Sequence, residues 1–569
     1  MILPQALIKD TDYAKSLNTL GFCVLPLFSV EQIQQMRDLY HQYAIDNKVS
    51  GLIASHSKTT GEQSKSVSSS IGEILMPALK ESFDDFNFFM AGFMVKEGNT
   101  PAELPLHQDW NILDESKYTS YQIWVPLDLS HAQNGGMFVL PGSHRFFNNH
   151  RSGSYGIPVV NTDESLRPLV ADMIIPPGSA LVFHNSLFHA SYPNHSDANR
   201  ISAIVSIYQK NAELNYFHKN AVEGCTDVFG ITSDIFLQSL NTLENKGVPP
   251  QPVSHVTAPL QVIENDKITS VDLAEGFKKY FNGDNKNFEP RQLHILHDET
   301  LEKKMQRDGY VVVDLLDEKT VAALKQQYIN QFGTPNTAIG RFTPMEHATP
   351  ADKRAIHNFI IDGIRPALDK YFKDYQTPIA SYFTKYANST GDLMWHTDAS
   401  LLLNTHLEPH YGIWCPLIDV NTKNGALSII EKSHKFSHAV VLNGLDWPYL
   451  QYMDEFDKKK KVFDLKAGQA VLFDLRLVHH STPNETDEDR ICFCVRLTHQ
   501  KSKYYSFLLE SEDKSVVSVF EESPNYYLAD EWTGTNQVGL RNRVGKMRDV
   551  YAVINYPAIE ALLGEQVGV

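Results

Sequence analysis

The amino-acid sequence predicts a mainly β protein with flanking helices, built as two tandem domains of the sandwich or jelly-roll type. The chain has 569 residues, which is several times the usual size of one domain. A set of short motifs in the first half recurs in the second half. Between these motifs, short strand-like runs alternate with turn signals, a pattern typical of sandwiches and jelly rolls. Together, these observations indicate two copies of one β domain.

The repeat is nearly regular along the chain. The copies are 288 residues apart at Gly21 and Gly309, and 290 residues apart at Arg200 and Arg490. Such constant spacing over about 180 residues indicates a duplicated domain, too long for a solenoid repeat. The matched segments also include Lys96 with Lys385, His107-Gln108-Asp109 with His396-Thr397-Asp398, Trp124-Val125-Pro126-Leu127 with Trp414-Cys415-Pro416-Leu417, Asn134-Gly135-Gly136 with Asn424-Gly425-Ala426, Ser143-His144 with Ser433-His434, and His189 with His479.

The domain boundaries follow from the repeat and from one proline-rich segment. We predict a first domain over residues 1–244, a linker over 245–290 and a second domain over 291–569. The linker is placed at Gly247-Val248-Pro249-Pro250-Gln251-Pro252, because proline lacks the backbone donor that a helix or central strand needs. The segment after about residue 505 has no clear sequence counterpart in the first copy. We therefore treat it as a C-terminal extension of the second domain.

Each copy is predicted to open with a strand and a capped amphipathic helix. Ser29 and Gln32 fit a capping box in the first copy, and Asp317 fits an N-cap in the second. Strands are expected to dominate after this helix. The strand-like runs of the first copy are Phe88–Lys96, Tyr121–Leu127, Ala180–Phe183 and Ile201–Tyr208.

Composition excludes several classes of partner. The formal net charge is −17, which argues against general binding to nucleic acid or to an anionic membrane surface. The chain contains no apolar run long enough to span a bilayer. Its N-terminus lacks the basic and apolar regions of a secretory signal. The five cysteines are too few and too scattered for a disulfide framework. We therefore expect a cytoplasmic protein.

Three matched positions in each copy predict a metal site. His107 and Asp109 are separated by one residue, so in a strand they share a face, and His189 follows another apolar strand. Two imidazoles and one carboxylate form the facial triad of non-haem Fe(II) oxygenases, which leaves coordination positions open. The second copy repeats the set as His396, Asp398 and His479. His480 is an alternative ligand by proximity, but the repeat alignment selects His479.

A matched arginine predicts an anion site beside each triad. Arg200 lies eleven residues after His189, and Arg490 lies eleven residues after His479. Ser202 shares the face of Arg200 on the predicted strand. A planar guanidinium with a neighbouring hydroxyl suits a small carboxylate ligand. The alternative is a structural salt bridge between Arg200 and an acid of the protein.

The combined motifs resemble the phytanoyl-CoA dioxygenase-like family of Fe(II)/2-oxoglutarate oxygenases. The resemblance covers most of both halves and implies a double-stranded β-helix core, the jelly-roll or cupin-like fold. It implies Fe(II) on His107, Asp109 and His189, with 2-oxoglutarate chelating the iron and its far carboxylate meeting Arg200. Ser202 is expected to assist, and the strand of Gln122 and Trp124 to border the cosubstrate. The second copy is implied to use His396, Asp398, His479 and Arg490 in the same way.

The second copy departs from this pattern at several positions. Ser202 becomes Cys492, Gln122 becomes Gly412, and Pro141-Gly142 becomes Glu431-Lys432. We expect these changes to affect the binding of cosubstrate and substrate more than the binding of metal. Lys96 and Lys385 are candidates for contact with a cosubstrate or substrate anion, although a lysine on a strand is usually a solvated edge residue.

The resemblance implies a dioxygenase that consumes 2-oxoglutarate and O2, releases succinate and CO2, and hydroxylates an unactivated C–H bond of a small-molecule substrate. The acids Asp109 and Asp398 disfavour halogenation, because related halogenases leave that ligand position small. Three alternatives remain: only the first domain is catalytic and the second is structural or regulatory; the chain is a cupin-like metal isomerase or hydrolase; or it is a metabolite-binding protein. Arg200 argues against a hydrolase, which needs no second carboxylate site.

Overall fold

The chain forms two compact units, Met1–Lys286 and Asn287–Val569. The fold comes from a computed structural model that describes residues 6–43, 51–55, 61–147, 149–220, 225–244, 254–259, 265–281, 288–333, 340–442, 445, 447–510, 513, 515–529, 542–551, 554, 556, 559–560 and 563. No helix within these ranges combines the length and hydropathy needed to cross a bilayer.

The first unit begins with helices and continues mainly as strands. Its elements are α1 Thr11–Leu20, β1 Phe22–Pro26, α2 Val30–Gln42, β2 Leu52–Ala54, α3 Gly61–Ser82, β3 Phe86–Lys96, β4 Leu104–His107, β5 Ser120–Pro126, β6 Met137–Val139, β7 Val159–Val160, β8 Ala171–Asp172, β9 Ser179–His184, β10 His189–Ser191, β11 Arg200–Gln209, β12 Asn215–Lys219, β13 Cys225–Gly230, α4 Ser233–Glu244, β14 Ser254–Pro259 and α5 Ser270–Tyr280.

Two antiparallel sheets make the jelly roll of this unit. The larger sheet has the order β1-β9-β5-β11-β3-β2, and the smaller has the order β7-β4-β10-β6-β8. Every residue of β5 and β9 is buried, as expected for central strands, and α3 packs on β3. The capping box of α2 is present, with the Gln32 N–H donating to Ser29 Oγ at 3.2 Å. The predicted fold class is confirmed.

With two additional short helices and one strand fewer in its smaller sheet, the second unit follows a similar order of elements. They are α6 Glu299–Asp308, β15 Tyr310–Asp314, α7 Glu318–Phe332, β16 Arg341–Phe342, α8 Pro344–His347, α9 Pro350–Tyr371, β17 Tyr375–Lys385, β18 Leu393–His396, β19 His410–Pro416, β20 Leu427–Ile429, α10 Met453–Lys459, β21 Lys461–Val462, β22 Gln469–Asp474, β23 His479–Ser481, β24 Arg490–His499, β25 Tyr504–Leu509, β26 Val516–Glu522 and β27 Asn542–Arg548. The larger sheet has the order β15-β22-β19-β24-β17-β16, and the smaller has the order β18-β23-β20-β21.

A third sheet in each unit extends the repeat beyond the matched sequence motifs. In the first unit β12, β13 and β14 pair in that order, and in the second unit β25, β26 and β27 do the same. The segment after about residue 505, expected to have no counterpart, therefore begins with a sheet whose counterpart spans Asn215–Pro259. The sequence does not reveal this counterpart, because many different side chains fit a half-buried strand and the matching strands share no motif.

The predicted linker over residues 245–290 carries structure that packs on the first unit. Its proline-rich segment, 247–252, lies outside the described residues. Further along, β14 pairs with β13, and the Tyr280 hydroxyl at the end of α5 donates to the Thr19 backbone carbonyl at 2.9 Å. Gly276 of α5 lies against the Phe146 ring. These contacts make β14 and α5 part of the first unit.

The end of the predicted linker and the residue that follows it belong to the core of the second unit. Glu289 and Arg291 join Asp474 and Arg476 in a buried network in which every member is at most 6% exposed. Arg476 Nη2 donates to Glu289 Oε1 at 2.9 Å, and Arg291 Nη2 donates to Asp474 Oδ2 at 3.1 Å. Burial alone would raise the pKa of Glu289, but the two guanidinium groups outweigh burial and hold that pKa below its ordinary value.

We expect Glu289→Gln to destabilise the second unit by about 3 kcal/mol, because it leaves buried guanidinium charge without compensation. Hydrogen exchange should show β22 losing about 100-fold in protection while β9 of the first unit keeps its protection. Asp362→Asn, at an exposed ion pair with Arg365, is the control and should change protection little. Equal protection of β22 in both variants would contradict the role of the network.

Candidate metal centre

The three predicted ligands of the first unit meet at one end of the paired strands β4 and β10 in the smaller sheet. His107 is the last residue of β4 and His189 is the first of β10, and their Cα atoms are direct partners across the antiparallel pair. Asp109 lies beyond the end of β4, where its backbone N–H donates to the Asn185 carbonyl at 3.0 Å. Cross-strand pairing therefore places the two histidines, and a backbone hydrogen bond in the following loop places the carboxylate.

The ligand atoms of this triad face one another. One nitrogen of each imidazole and one carboxylate oxygen all lie within 4.8 Å of one another. His189 Nε2 is 3.8 Å from Asp109 Oδ2, and the two imidazole centroids are 4.3 Å apart. Oδ2 of Asp109 is buried without a hydrogen-bond partner. Such a buried, unsatisfied carboxylate oxygen is well suited to a cation.

Backbone carbonyls orient both histidines. Nδ1 of His107 lies 2.8 Å from the Pro105 carbonyl, and Nδ1 of His189 lies 2.9 Å from the Leu187 carbonyl. Because a carbonyl only accepts, the proton is assigned to each Nδ1, which leaves the Nε2 lone pairs for the site. Burial, followed by the neighbouring His189, lowers the pKa of His107 to about 4. The imidazole is therefore neutral at physiological pH, as a metal ligand must be.

The second unit builds the same arrangement. His396 ends β18 opposite His479 at the start of β23, and their ring centroids are 4.1 Å apart. His479 Nε2 is 3.9 Å from Asp398 Oδ2. The backbone N–H of Asp398 donates to the Leu475 carbonyl at 3.2 Å, and burial lowers the pKa of His396 to about 4. His480 is not part of this cluster, because its ring stacks on Trp395 with centroids 4.8 Å apart.

An arginine distinguishes the second triad from the first. Arg496 of β24 donates through Nη2 to Asp398 Oδ1 at 2.9 Å and through Nη1 to the Ala399 carbonyl at 3.2 Å. Burial would raise the pKa of Asp398, but Arg496 and the nearby histidines together outweigh burial and hold that pKa below its ordinary value. The matched residue in the first unit is Ser206, which donates to Gln122 Oε1 at 2.6 Å. The sequence comparison missed Arg496, although its place six residues after Arg490 marks the same strand face.

Arg200 lies buried on the neighbouring sheet with its predicted companions. It begins β11, and its Nη1 donates to Ser202 Oγ at 2.7 Å. The guanidinium carbon lies 5.2 Å from the Trp124 ring centroid. Within the described part of the chain, no acid is within salt-bridge distance of Arg200, and its Nε lacks a hydrogen-bond partner. Burial lowers the pKa of Arg200 to about 10. These contacts do not favour the alternative of a structural salt bridge.

Arg490 has similar surroundings with a thiol in place of the hydroxyl. Its Nη1 lies 2.8 Å from Cys492 Sγ, and its guanidinium carbon is 5.5 Å from the Trp414 ring centroid. Gly412 stands where the first unit has Gln122. A Cβ there would lie 2.7 Å from the Phe473 ring, so Phe473 already fills that space. The second site therefore lacks both polar groups, Gln122 and Ser202, that accompany Arg200.

Lys96 and Lys385 are fully buried, so the interpretation as solvated edge residues is wrong. Lys96 lies on β3, inside the larger sheet, directly opposite Arg200. Its Nζ donates to Ser191 Oγ at 2.7 Å and to the Tyr192 carbonyl at 2.5 Å, just after His189. Lys385 donates to the carbonyls of Ser481 and Thr482 after His479. Each lysine thus links the strand that carries the second histidine ligand to the larger sheet. Contact of these lysines with a cosubstrate or substrate anion stays a prediction.

The recurring Gly21 and His144 form a packing pair outside the triad. Gly21 has a φ of +86°, and a Cβ there would lie 2.5 Å from Nδ1 of His144. Gly309 and His434 repeat this contact at the same distance. The recurrence of these histidines therefore reflects packing of a buried turn, as their position after a turn indicates.

Comparison with known proteins places the matched motifs in a family. A family model described as phytanoyl-CoA dioxygenase (PhyH) matches residues 23–202 and 305–492. A curated relative, the probable alpha-ketoglutarate-dependent hypophosphite dioxygenase of Stutzerimonas stutzeri, is 32% identical over 106 residues. The match covers 17% of this chain and 37% of that relative, so the chain spans little more than a third of its length.

Two solved structures are similar to part of the chain. EvdO2 from Micromonospora carbonacea var. aurantiaca, complexed with 2-oxoglutarate, is 19% identical and covers 37% of this chain and 94% of its own, with a TM-score of 0.26. EctD from S. alaskensis, with 2-oxoglutarate and 5-hydroxyectoine, is also 19% identical and covers 36% of this chain and 78% of its own, with a TM-score of 0.27.

Proposed function

Because this chain belongs to the phytanoyl-CoA dioxygenase family, we propose that it is an Fe(II)/2-oxoglutarate-dependent dioxygenase acting on a small-molecule substrate. The observation that carries this proposal is the convergence of His107, Asp109 and His189 within 4.8 Å. We also propose that the repeated units are two domains of this family and that the protein is cytoplasmic. Five free cysteines suit the reducing conditions of that compartment.

The residues of the first triad fit an iron ion. Two neutral imidazoles and one carboxylate are the ligand set that leaves coordination positions open for a cosubstrate and O2. When bound, Fe(II) with 2-oxoglutarate and O2 supplies the oxidising chemistry. The chain holds the ligands in place: carbonyls orient both imidazoles, and Arg151 Nε donates to the Asp109 backbone carbonyl at 2.7 Å. Arg151 pairs with Glu115 at 2.7 Å, so its charge is compensated away from the Asp109 carboxylate.

Arg200 and Ser202 suit the far carboxylate of 2-oxoglutarate. A buried guanidinium without an acidic partner gains most from an anionic ligand, because charge-assisted hydrogen bonds strengthen where water is excluded. The indole of Trp124 covers one face of the guanidinium and limits its orientation. His189 and Arg200 begin the consecutive strands β10 and β11, which lie in the two different sheets of the unit. We therefore expect one short ligand to reach from the iron to Arg200.

We propose hydroxylation as the reaction of the first unit. Atoms balance when R–H, 2-oxoglutarate and O2 give R–OH, succinate and CO2. The presence of the ligand carboxylate on Asp109 supports hydroxylation over halogenation, since a halide would need that coordination position. The second unit keeps the triad, but Asp398 pairs with Arg496, and Arg490 lies beside a thiol instead of a hydroxyl. These differences support the alternative that only the first unit is catalytic.

Turnover of the cosubstrate tests this proposal. The full chain with Fe(II), O2 and 2-oxoglutarate should form succinate slowly without substrate and faster with an accepted member of a metabolite panel. One succinate should form for each 2-oxoglutarate consumed. A metabolite-binding protein would bind 2-oxoglutarate without forming succinate, and a metal isomerase or hydrolase would turn over its substrate without O2. Either of these results would overturn the proposal.

A further inference from the structure

The two triads differ in the charge that surrounds their carboxylates. In the first unit, the nearby guanidinium of Arg151 contacts only the backbone of Asp109 and is compensated by Glu115. In the second unit, Arg496 lies directly on the carboxylate, 2.9 Å from Asp398 Oδ1. Among the described residues, Asp398 is the acid within salt-bridge distance of Arg496. The first triad thus offers a carboxylate whose charge is available, and the second offers one already paired.

The substitutions around Arg496 support a built contact. Arg496 and Gly412 are direct partners across β24 and β19, where the first unit pairs Ser206 with Gln122. The absence of a side chain at Gly412 removes the group that Ser206 contacts in the first unit. Arg496 also donates to the Ala399 carbonyl, so two hydrogen bonds hold its guanidinium at Asp398.

We propose that Arg496 makes the second triad the weaker metal site, so that Fe(II) fills the first unit before the second. This inference rests on the proposed function of the first triad. A divalent ion bound to Asp398 shares that carboxylate with a permanent positive charge, and like charges at such separations repel strongly inside a protein. Oδ2 of Asp398 still faces the histidines, so the site keeps its ligands and loses affinity rather than disappearing.

The consequence is a protein whose two units respond to different iron concentrations. The first unit is expected to be loaded when iron is scarce, and the second only when iron is more abundant. The difference arises from one side chain on the same strand that carries Arg490, and it needs no change in the triad residues. Arg496 is therefore a residue that sets metal affinity and not a ligand.

Anaerobic titration with Mn(II) or Fe(II) tests this inference on two variants of the full chain. His189→Ala isolates the second site, and His479→Ala isolates the first. We expect the first site to bind the ion at least about tenfold more tightly than the second. Adding Arg496→Met to the His189→Ala variant should tighten the second site by a similar factor. Arg496→Lys keeps the charge and should leave the affinity low.

Control variants distinguish an effect of the Arg496 charge on metal affinity from an effect on folding. They also distinguish failure of this inference from failure of the proposed function. Arg365→Met removes an exposed arginine of the same unit and should not change metal affinity. Mn(II) should also raise the melting temperature of the His189→Ala, Arg496→Met double variant more than that of the His189→Ala variant. In the converse experiment, Ser206→Arg in the first unit should weaken that site. Equal affinities of the two sites, or equal effects of Arg496→Met and Arg496→Lys, would overturn the inference. Absence of binding at the first site would instead overturn the proposed function.

Discussion

Replacing Asp109 with alanine is expected to remove iron from the first unit and to lower 2-oxoglutarate turnover by at least about 100-fold. The substitution removes the triad's negative charge and one of its three ligand groups, whereas changing groups that merely support a metal ligand already costs 10–100-fold. The histidine pair would remain, because its orientation depends on the carbonyls of Pro105 and Leu187. Metal content by elemental analysis and succinate formation are the two measurements.

Two further variants serve as controls for the Asp109→Ala result. Asp114→Ala removes a nearby acid that pairs with Lys117 at the surface, and it should leave both iron content and turnover unchanged. Asp398→Ala removes the matched acid of the second unit. If only the first unit is catalytic, Asp398→Ala keeps most of the turnover. Full activity of Asp109→Ala would show that the catalytic metal lies elsewhere.

Replacing Arg200 with methionine should weaken 2-oxoglutarate binding about 100-fold while iron stays bound. Methionine keeps much of the buried volume but removes a charge-assisted pair of hydrogen bonds, worth up to about 3 kcal/mol each when a charged group is involved. Arg200 does not contact the triad, so the metal site should keep its affinity. The KM for 2-oxoglutarate and the metal content of the same preparation separate these effects.

A conservative variant distinguishes the contribution of charge from that of the planar donor pair. Arg200→Lys keeps the charge but loses the planar pair of donors, and we expect affinity between those of the parent and of Arg200→Met. Arg490→Met is the matched change in the second unit and reports whether that unit also binds the cosubstrate. An unchanged KM in Arg200→Met would show that another residue binds the far carboxylate, and Lys96 would be the first candidate.

Much of the fold was predictable because the duplication supplies an internal comparison. The strands around Trp124 and Arg200 lie within a residue or two of their predicted bounds, and the Ser29 cap is present. The triad positions followed from recurrence, since ligand-type residues at a constant spacing are improbable by chance. Asp109 and Asp398 are placed differently than strand alternation implies, each by a backbone hydrogen bond beyond the end of its strand, β4 or β18.

Other features depend on tertiary packing and could not be predicted from local patterns. The burial of Lys96 depends on where β3 lies in the sheet order, which a strand pattern does not reveal. Glu289 lies in a segment without helix or strand and is buried by partners nearly 190 residues away. The third sheets have weak sequence similarity because many different side chains fit a half-buried strand. Arg496 was visible in the sequence, but its contact with Asp398 required coordinates.

The most direct test is an anomalous-scattering map at the iron absorption edge, from crystals grown without O2 in the presence of Fe(II) and 2-oxoglutarate. We expect an anomalous peak within bonding distance of Nε2 of His107, Nε2 of His189 and a carboxylate oxygen of Asp109. In the ordinary electron-density map of the same crystals, the far end of 2-oxoglutarate should lie at Arg200. A peak bonded to other residues, or no peak at this triad while iron is bound elsewhere in the chain, would contradict it.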